Sequence, residues 1–208
     1  MKIGLYGGTF DPIHSGHLQP VRDACKELTL DQVIYLPTGV PPHKAGDVLA
    51  PAWARFAMVE LALLWDRRLV VSPWELREEA SYTADTLRHF RALYPDAEIT
   101  LIIGSDALPG LPTWRDWRSL LDVPVAVLDR GGEERPELDA LDPELRQAVE
   151  QGKIRFLTNQ PVTVSSTELR DLLARGELPR SGQLPRLVLD YIRKYDLYWE
   201  NDVASRQA

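Results

Sequence analysis

The sequence is short of several features that define large classes of protein. It has one cysteine, Cys25, among 208 residues, so no disulfide forms within the chain, and we expect a reducing compartment, the cytoplasm. It has no apolar run of membrane-spanning length, and its N-terminus enters a predicted strand at once. We therefore expect neither a signal peptide nor a membrane partner.

Positive charge is also scarce in this chain. Lys and Arg number 24 against 31 Asp and Glu, which gives a net charge of −7. A chain with that balance lacks a general basic surface, so we expect no nucleic-acid partner, and any phosphate ligand needs a local basic pocket. The length and the ordinary share of hydrophobic residues, 44%, suit one domain with a substantial core.

The most informative stretch lies close to the N-terminus. The apolar run Ile3–Tyr6 predicts a buried strand, Gly7 and Gly8 break it, and a helical pattern runs from about Gly16 to Thr29. A glycine turn between a strand and a helix start suits phosphate, because unpaired N–H groups and the positive end of the helix lie there. The turn matches neither G-x-G-x-x-G nor the P-loop pattern.

Two histidines follow within the string H-S-G-H. His14 and His17 are three positions apart, so both rings face one side of a helix start, and Gly16 between them lets a phosphate approach the backbone. The alternative is one surface and one core histidine. A zinc site would need more ligands than these two histidines. The remaining candidates lack the spacing of a zinc site, so we predict no metal site in the protein. These candidates are Cys25, His43 and His89.

Three later loops follow predicted strands. The loop P-P-H-K places His43 and Lys44 after the second strand, either as a plain connection or as cations near phosphates. After the fourth strand, Gly104 permits close approach of a ligand, and Asp106 is a candidate acceptor for ribose hydroxyls. Arg130 follows the fifth strand, either as a nucleotide contact or as a solvated side chain.

Two helix starts also carry candidate ligand groups. In S-Y-T-A-D-T-L, Ser81 or Thr83 is expected to cap a helix that runs to about Tyr94. In S-S-T-E-L-R, the hydroxyls are an ordinary N-cap pattern, yet hydroxyls, free N–H groups and Arg170 one turn later also suit a triphosphate. Trp114 in L-P-T-W is either core or a stacking face for a flat ring.

Strands alternate with helices along the chain. This predicts a Rossmann-like, doubly wound α/β fold, with a mostly parallel sheet of about six strands and helices on both faces. We expect one domain over residues 1–198 and a polar, mobile tail over 199–208. The predicted strands are Ile3–Tyr6, Gln32–Pro37, Leu69–Val71, Glu98–Ile103, Val123–Leu128 and Lys153–Leu157. The candidate motifs follow strands, so they converge at one sheet edge if the strands are parallel.

These strings resemble known signatures over most of the chain, from Ile3 to Arg170. G-G-T-F-D-P-I-H-S-G-H resembles the H-x-G-H signature of the nucleotidyltransferase superfamily, most closely in bacterial nicotinate-nucleotide adenylyltransferases. V-S-S-T-E-L-R is similar to the second signature, with valine for isoleucine. P-P-H-K, S-Y-T-x-x-T-L and I-I-G-x-D-x-L…L-P-T-W resemble segments beside the pyridine nucleotide. Arg115 departs from the pattern, since relatives often carry a second aromatic residue there.

The resemblance implies transfer of AMP from ATP to nicotinate mononucleotide, with Mg²⁺ accompanying ATP, as a step in NAD synthesis. The implied catalytic residues are His14, His17 and Arg170. The implied ATP-binding residues are Gly7, Gly8, Thr9, Phe10, His14, Gly16, His17, Gly104, Asp106, Arg130, Ser165, Ser166, Thr167 and Arg170. The implied nicotinate-nucleotide contacts are Gly8, His43, Lys44, Tyr82, Thr83, Thr86, Gly104, Asp106, Trp114 and Arg115.

Other acceptors and another class of protein remain open at this stage. Nicotinamide mononucleotide is the nearest alternative acceptor, whereas the S-Y-T-x-x-T-L and L-P-T-W segments disfavour phosphopantetheine. A protein of a different class, a nucleotide sensor that binds nucleotide without catalysis, is the alternative to an enzyme. An aminoacyl-tRNA synthetase is excluded by the length and by the lack of a basic RNA-binding region. The sequence leaves the oligomeric state open.

Overall fold

Six β-strands and six α-helices form the framework of the described part of the chain. The computed structural model describes residues 1–39, 50–77, 81–129, 136–158 and 162–199. The strands are β1 Lys2–Gly8, β2 Gln32–Pro37, β3 Leu69–Val71, β4 Glu98–Gly104, β5 Val125–Leu128 and β6 Ile154–Phe156. The α-helices are α1 Ser15–Glu27, α2 Ala52–Leu63, α3 Thr83–Leu93, α4 Pro143–Glu150, α5 Ser166–Ala174 and α6 Arg186–Lys194.

The strands form one parallel sheet in the order β3-β2-β1-β4-β5-β6. Aliphatic and β-branched residues fill both faces of these strands, as expected of a parallel sheet covered on both sides. The chain winds outward from β1 to β3 and then returns to place β4 on the other side of β1. A crevice therefore opens at the carboxyl ends of β1 and β4, where open α/β sheets bind ligands.

Helices cover both faces, which confirms the predicted doubly wound architecture. One hydrophobic cluster joins the sheet to α1, α2, α5 and α6, and a second joins it to α3 and α4. Within β1 the faces alternate: Leu5 lies in the second cluster and Tyr6 in the first. Among the helices that the structure describes, none is long and apolar enough to cross a membrane.

Three predicted elements differ from the structure. Gly7 and Gly8 do not break the first strand, because both pair with β2 and β1 ends at Gly8. From the sequence we expect an ordinary helix that runs to Leu121 after Trp117. The structure forms a 3₁₀-helix there, Trp117–Asp122, and it follows Asp116, whose φ of 53° is left-handed. The fifth strand begins at Val125 rather than Val123. Pro124 has no N–H to give to a ladder and therefore precedes the strand, although its carbonyl accepts the N–H of Leu101 at 2.9 Å.

Candidate active site

The turn from Thr9 to His17 joins β1 to α1 at the crevice, and we call it the histidine turn. His14 is the N-cap of α1, and its Nδ1 accepts the N–H of Gly16 at 3.1 Å. The Nδ1 of His17 accepts the N–H of His14 at 3.3 Å. The two ring centroids lie 3.8 Å apart, so the structure brings the two histidines together, as the spacing predicts.

These hydrogen bonds decide the tautomer of both rings. A ring nitrogen that accepts a backbone N–H carries no proton, so each neutral ring holds its proton on Nε2. Both histidines are buried, with exposed fractions of 5% for His14 and 7% for His17. The backbone of the turn thereby selects Nε2–H as the group that each ring offers to an acceptor such as a phosphate oxygen.

The first N–H groups of α1 correct one expectation. The sequence predicts unpaired donors at this helix start, but the N–H of Ser15 donates to the carbonyl of Gln183 at 2.9 Å. The N–H of Gly16 is bound by His14, and the N–H of His17 donates to the His14 carbonyl at 2.9 Å. These three N–H groups are therefore paired within the protein, and what the helix start offers to an anion is its dipole and the side chains beside it.

Three glycines in this region have different surroundings. A Cβ on Gly16 would lie 3.0 Å from the His14 ring and 3.3 Å from the carbonyl oxygen of Val164, so Gly16 makes room for the ring itself. A Cβ on Gly8 would lie 2.9 Å from the ring of Phe10. A Cβ on Gly7 would meet nothing within 4 Å, which leaves open space beside the end of β1.

The second signature packs directly on the histidine turn. The Ser166 hydroxyl donates to the carbonyl of Pro12 at 3.1 Å. The Arg170 guanidinium donates to the carbonyl of Asp11 at 2.8 Å, across 159 positions of the chain. It also lies 3.6 Å from Oδ2 of the Asp11 carboxylate. The two signatures therefore lie against each other at the same edge of the sheet.

The other hydroxyls of this signature have local structural partners. Ser165 is the N-cap of α5, and its hydroxyl accepts the N–H of Glu168 at 3.1 Å, which is the ordinary capping role. The Thr167 hydroxyl accepts a hydrogen bond from Arg170 at 3.3 Å. Thr167 therefore helps to orient the guanidinium.

The expected pyridine side lies at the start of α3. Its N-cap is Tyr82, without a side-chain capping bond, so the predicted caps Ser81 and Thr83 are wrong. The guanidinium carbon of Arg115 lies 4.7 Å from the centroid of the Tyr82 ring. Trp114 is half-buried and packs against the cluster below α3 and α4. The residue that departs from the family pattern thus places a cation beside this helix start.

Thr86 has both of its donors engaged. Its N–H donates to the Tyr82 carbonyl at 3.1 Å, and its hydroxyl donates to Oε1 of Glu75 at 2.6 Å. A contact from Thr86 to a nicotinate carboxylate therefore requires one of these bonds to be exchanged. Burial raises the pKa of the Glu75 carboxyl above its ordinary value, while the hydrogen bonds with Thr86 and Ser81 and the charge of Arg77 oppose the rise.

Glu75 is a residue that the sequence alone did not single out. Its carbonyl accepts the N–H of Gly39 at 2.8 Å, so it links the end of β2 to the start of α3. At the neighbouring strand, Gly104 ends β4, and Asp106 lies exposed beyond it, at the same sheet edge as the histidine turn. Three predicted contacts lie outside the described residues: His43, Lys44 and Arg130.

Arg55 is the clearest of the residues that sequence reasoning missed. From the sequence we expect both Trp53 and Arg55 to pack or to face solvent. Trp53 is exposed, but Arg55 has an exposed fraction of 1% and carries a buried charge. Its guanidinium donates to carbonyls on three separate segments, at 2.7 to 3.1 Å: Thr9, Gly39 and Ala50. Burial lowers the pKa of Arg55, and the charge of Asp11 opposes this. The only signal in the sequence is a lone arginine on an apolar helix.

Asp11 and Phe10 complete the support of the histidine turn. The carboxylate of Asp11 accepts hydrogen bonds from the N–H of Ala50 at 3.0 Å and the hydroxyl of Tyr198 at 2.6 Å, so it fixes the turn. Phe10 is buried and packs edge-on against the His17 ring, with centroids 5.1 Å apart.

A Rossmann-like sheet whose H-x-G-H turn is packed against an S-S-T-x-L-R helix at the switch point defines a nucleotidyltransferase. Residues 5–172 match the model of the cytidylyltransferase-like family. Two bacterial relatives carry the name probable nicotinate-nucleotide adenylyltransferase. The protein of Neisseria meningitidis serogroup B is 42% identical over 200 residues, 95% of this chain and 98% of its own. The protein of Pseudomonas aeruginosa PAO1 is 40% identical over 214 residues, 95% of this chain and 97% of its own.

The chain therefore belongs to the cytidylyltransferase-like family and, within it, to the nicotinate-nucleotide adenylyltransferases. Solved structures agree on the fold. The nicotinic acid mononucleotide adenylyltransferase of Plasmodium falciparum, complexed with NaAD, has a TM-score of 0.75 at 21% identity, covering 95% of this chain and 97% of that one. The same enzyme complexed with APC has a TM-score of 0.74 over 95% and 96%.

Proposed function

We propose that this chain transfers AMP from ATP to nicotinate mononucleotide, giving nicotinate adenine dinucleotide and pyrophosphate in the synthesis of NAD. The observation that carries the proposal is the contact between the two signatures, through Arg170 on Asp11 and Ser166 on Pro12. This contact gathers two histidines and an arginine at the switch point of the sheet. The family membership and the single free cysteine suit a cytoplasmic enzyme of NAD synthesis.

The acceptor needs no general base from the protein. The second pKa of a phosphate monoester is about 6, so the 5′-phosphate of a mononucleotide is already an anionic nucleophile at neutral pH. One of its oxygens forms a bond to the α-phosphorus of ATP, in line with the leaving group. The bond from that phosphorus to the bridging oxygen breaks, and pyrophosphate leaves with the electron pair.

The protein then supplies positioning and charge. In our proposal His14 and His17 donate from Nε2 to the α- and β-phosphates, where charge develops in the transition state. Arg170 holds the triphosphate together with Ser166 and with Lys44, which lies outside the described residues. The buried, backbone-bonded imidazoles keep their orientation before ATP arrives, which lowers the reorganisation that the reaction requires.

Mg²⁺ is the metal that we propose to accompany ATP. Within the described ranges, no group of three His, Cys, Asp or Glu side chains is placed to hold a metal ion. These residues therefore fit an ion carried mainly by phosphate oxygens and water, which is the usual way that Mg²⁺ binds with nucleotides. When bound, it supplies charge neutralisation on the phosphates.

The start of α3 favours the acid form of the pyridine nucleotide over the amide. Arg115 lies over the Tyr82 ring, and the positive end of α3 lies beside it, so both features favour an anionic substituent. A carboxylate also accepts hydrogen bonds without needing an acceptor in return, unlike a carboxamide.

The test compares pyrophosphate release from ATP and Mg²⁺ with nicotinate mononucleotide and with nicotinamide mononucleotide. We expect kcat/KM to favour the acid strongly. Equal use of both would contradict the assignment of a carboxylate site, and no turnover with either would contradict the proposed reaction. His17→Ala separates an enzyme from a nucleotide sensor, because an enzyme loses kcat by about 100-fold or more, whereas a sensor loses affinity only.

A further inference from the structure

The segment after α6 returns to the histidine turn and ends there in Tyr198. Its hydroxyl donates to Oδ1 of Asp11 at 2.6 Å, across 187 positions of the chain. Burial raises the pKa of the Tyr198 hydroxyl well above its usual range, and the Asp11 carboxylate raises it further, so the hydroxyl stays protonated. It is therefore a permanent donor to a buried carboxylate, which is a strong and directional kind of hydrogen bond.

Both sides of this contact contain left-handed backbone that is unfavourable for residues other than glycine. Tyr198 has a φ of 67° and Asp196 a φ of 51°, and on the other side Phe10, next to Asp11, has a φ of 51°. Such conformations persist only where the surroundings enforce them, and they cluster at functional sites. The segment thus adopts a strained path that delivers one hydroxyl to one carboxylate.

The two oxygens of Asp11 have different surroundings. Oδ1 accepts from Tyr198 and from the N–H of Ala50, while Oδ2 is buried and has no hydrogen-bond partner among the residues that the structure describes. Oδ2 lies 3.6 Å from the guanidinium of Arg170, which is ion-pair distance but too long for a hydrogen bond. The same guanidinium donates instead to the Asp11 carbonyl at 2.8 Å.

We propose that Tyr198 is a positioning residue of the ATP site, acting through Asp11 on Arg170. With Oδ1 held by Tyr198 and by the N–H of Ala50, the carboxylate attracts Arg170 without taking a hydrogen bond from it. Without the hydroxyl, the single N–H of Ala50 no longer holds the carboxylate against this attraction. The carboxylate then turns toward Arg170 and pairs with it directly, which withdraws the guanidinium from the triphosphate. The inference rests on the proposed function, which makes Arg170 a triphosphate contact.

The test is the variant Tyr198→Phe, with Tyr195→Phe as the matched control. Tyr195 lies three residues earlier and is 53% exposed. The control variant removes the same group, a tyrosine hydroxyl, at a position that does not contact the histidine turn in the described part of the chain. Calorimetry gives the Kd of a non-hydrolysable ATP analogue with Mg²⁺ and, separately, the Kd of nicotinate mononucleotide. For Tyr198→Phe we expect about tenfold weaker binding of the analogue, about 1.4 kcal/mol, and a mononucleotide Kd within about twofold of wild type.

A merely structural role predicts a different pattern. Partial unfolding lowers the binding stoichiometry and kcat but leaves both Kd values unchanged, and this result would overturn the proposal, as would equal weakening of both ligands. In an Asp11→Asn background, Tyr198→Phe should weaken analogue binding by less than about twofold, because the two residues act in one path. Additive effects would also overturn it. A wild-type protein that binds ATP without turnover would contradict only the proposed reaction.

Discussion

Replacing Arg55 by methionine tests whether one buried guanidinium holds the histidine turn to its neighbours. Methionine keeps the apolar stem but removes three hydrogen bonds, and it leaves the carbonyls of Thr9, Gly39 and Ala50 without this donor. A buried acceptor left without its donor costs about 1–3 kcal/mol, so the loss of this donor to three carbonyls lowers the free energy of unfolding by about 4 kcal/mol. For a chain of this size, a loss of about 4 kcal/mol lowers Tm by about 10 °C.

Urea unfolding followed by tryptophan fluorescence measures the loss. Arg186→Met is the control, because that side chain is 93% exposed and its nearest ion-pair partner, Asp190, lies 3.8 Å away. The control is expected to stay within about 0.5 kcal/mol of wild type. If Arg55→Met also stays within about 1 kcal/mol, the carbonyl contacts contribute little, and the reasoning about this network is refuted.

Three further changes test the catalytic and pyridine sides. Gly16→Ala is expected to lower kcat at least about tenfold in the pyrophosphate assay, because the added Cβ would lie 3.0 Å from the His14 ring and displace it. An unchanged kcat would show that the added Cβ does not displace the ring. Arg115→Ala should lower the ratio of kcat/KM for the acid to kcat/KM for the amide by about fivefold, which corresponds to about 1 kcal/mol for one exposed charge. A constant ratio would exclude a role of Arg115 in attracting the carboxylate. Because burial raises the folded pKa of Glu75 above its unfolded value, the stability of the wild type relative to Glu75→Gln should fall as pH rises from the ordinary glutamate pKa, about 4.3, through the raised folded pKa. Urea titrations across this pH range measure the difference, and a flat difference would count against the reasoning.

The fold follows from the sequence wherever one local pattern decides the structure. The apolar runs of β2 and β3 coincide with the observed Gln32–Pro37 and Leu69–Val71, because strands buried on both faces have few polar residues. The 3₁₀-helix that begins at Trp117 was not predictable in this way, since its spacing also fits an α-helix and the left-handed Asp116 carries no glycine signal.

In the candidate site too, contacts that follow from local spacing or sheet topology were predictable, whereas most other contacts between distant residues were not. The pairing of His14 with His17 was predictable from three-residue spacing, and the approach of Arg170 from the parallel sheet. The roles of Arg55 and Tyr198 were not, because all of their partners except Ala50 lie 16 to 187 positions away, where only the folded chain brings them together. The expectation of a free N–H at Ser15 failed for the same reason, because this N–H donates to the carbonyl of the distant Gln183.

The hydrogen bond between Asp11 and Tyr198 has a consequence for biosynthesis. A ribosome extends the chain at about 5–20 residues per second, so the histidine turn emerges before the partners that support it. Strand β4, then Arg170 and then Tyr198 follow it in that order. A nascent chain can thus complete its six-stranded sheet while the turn still lacks Tyr198, so the sheet does not depend on this support.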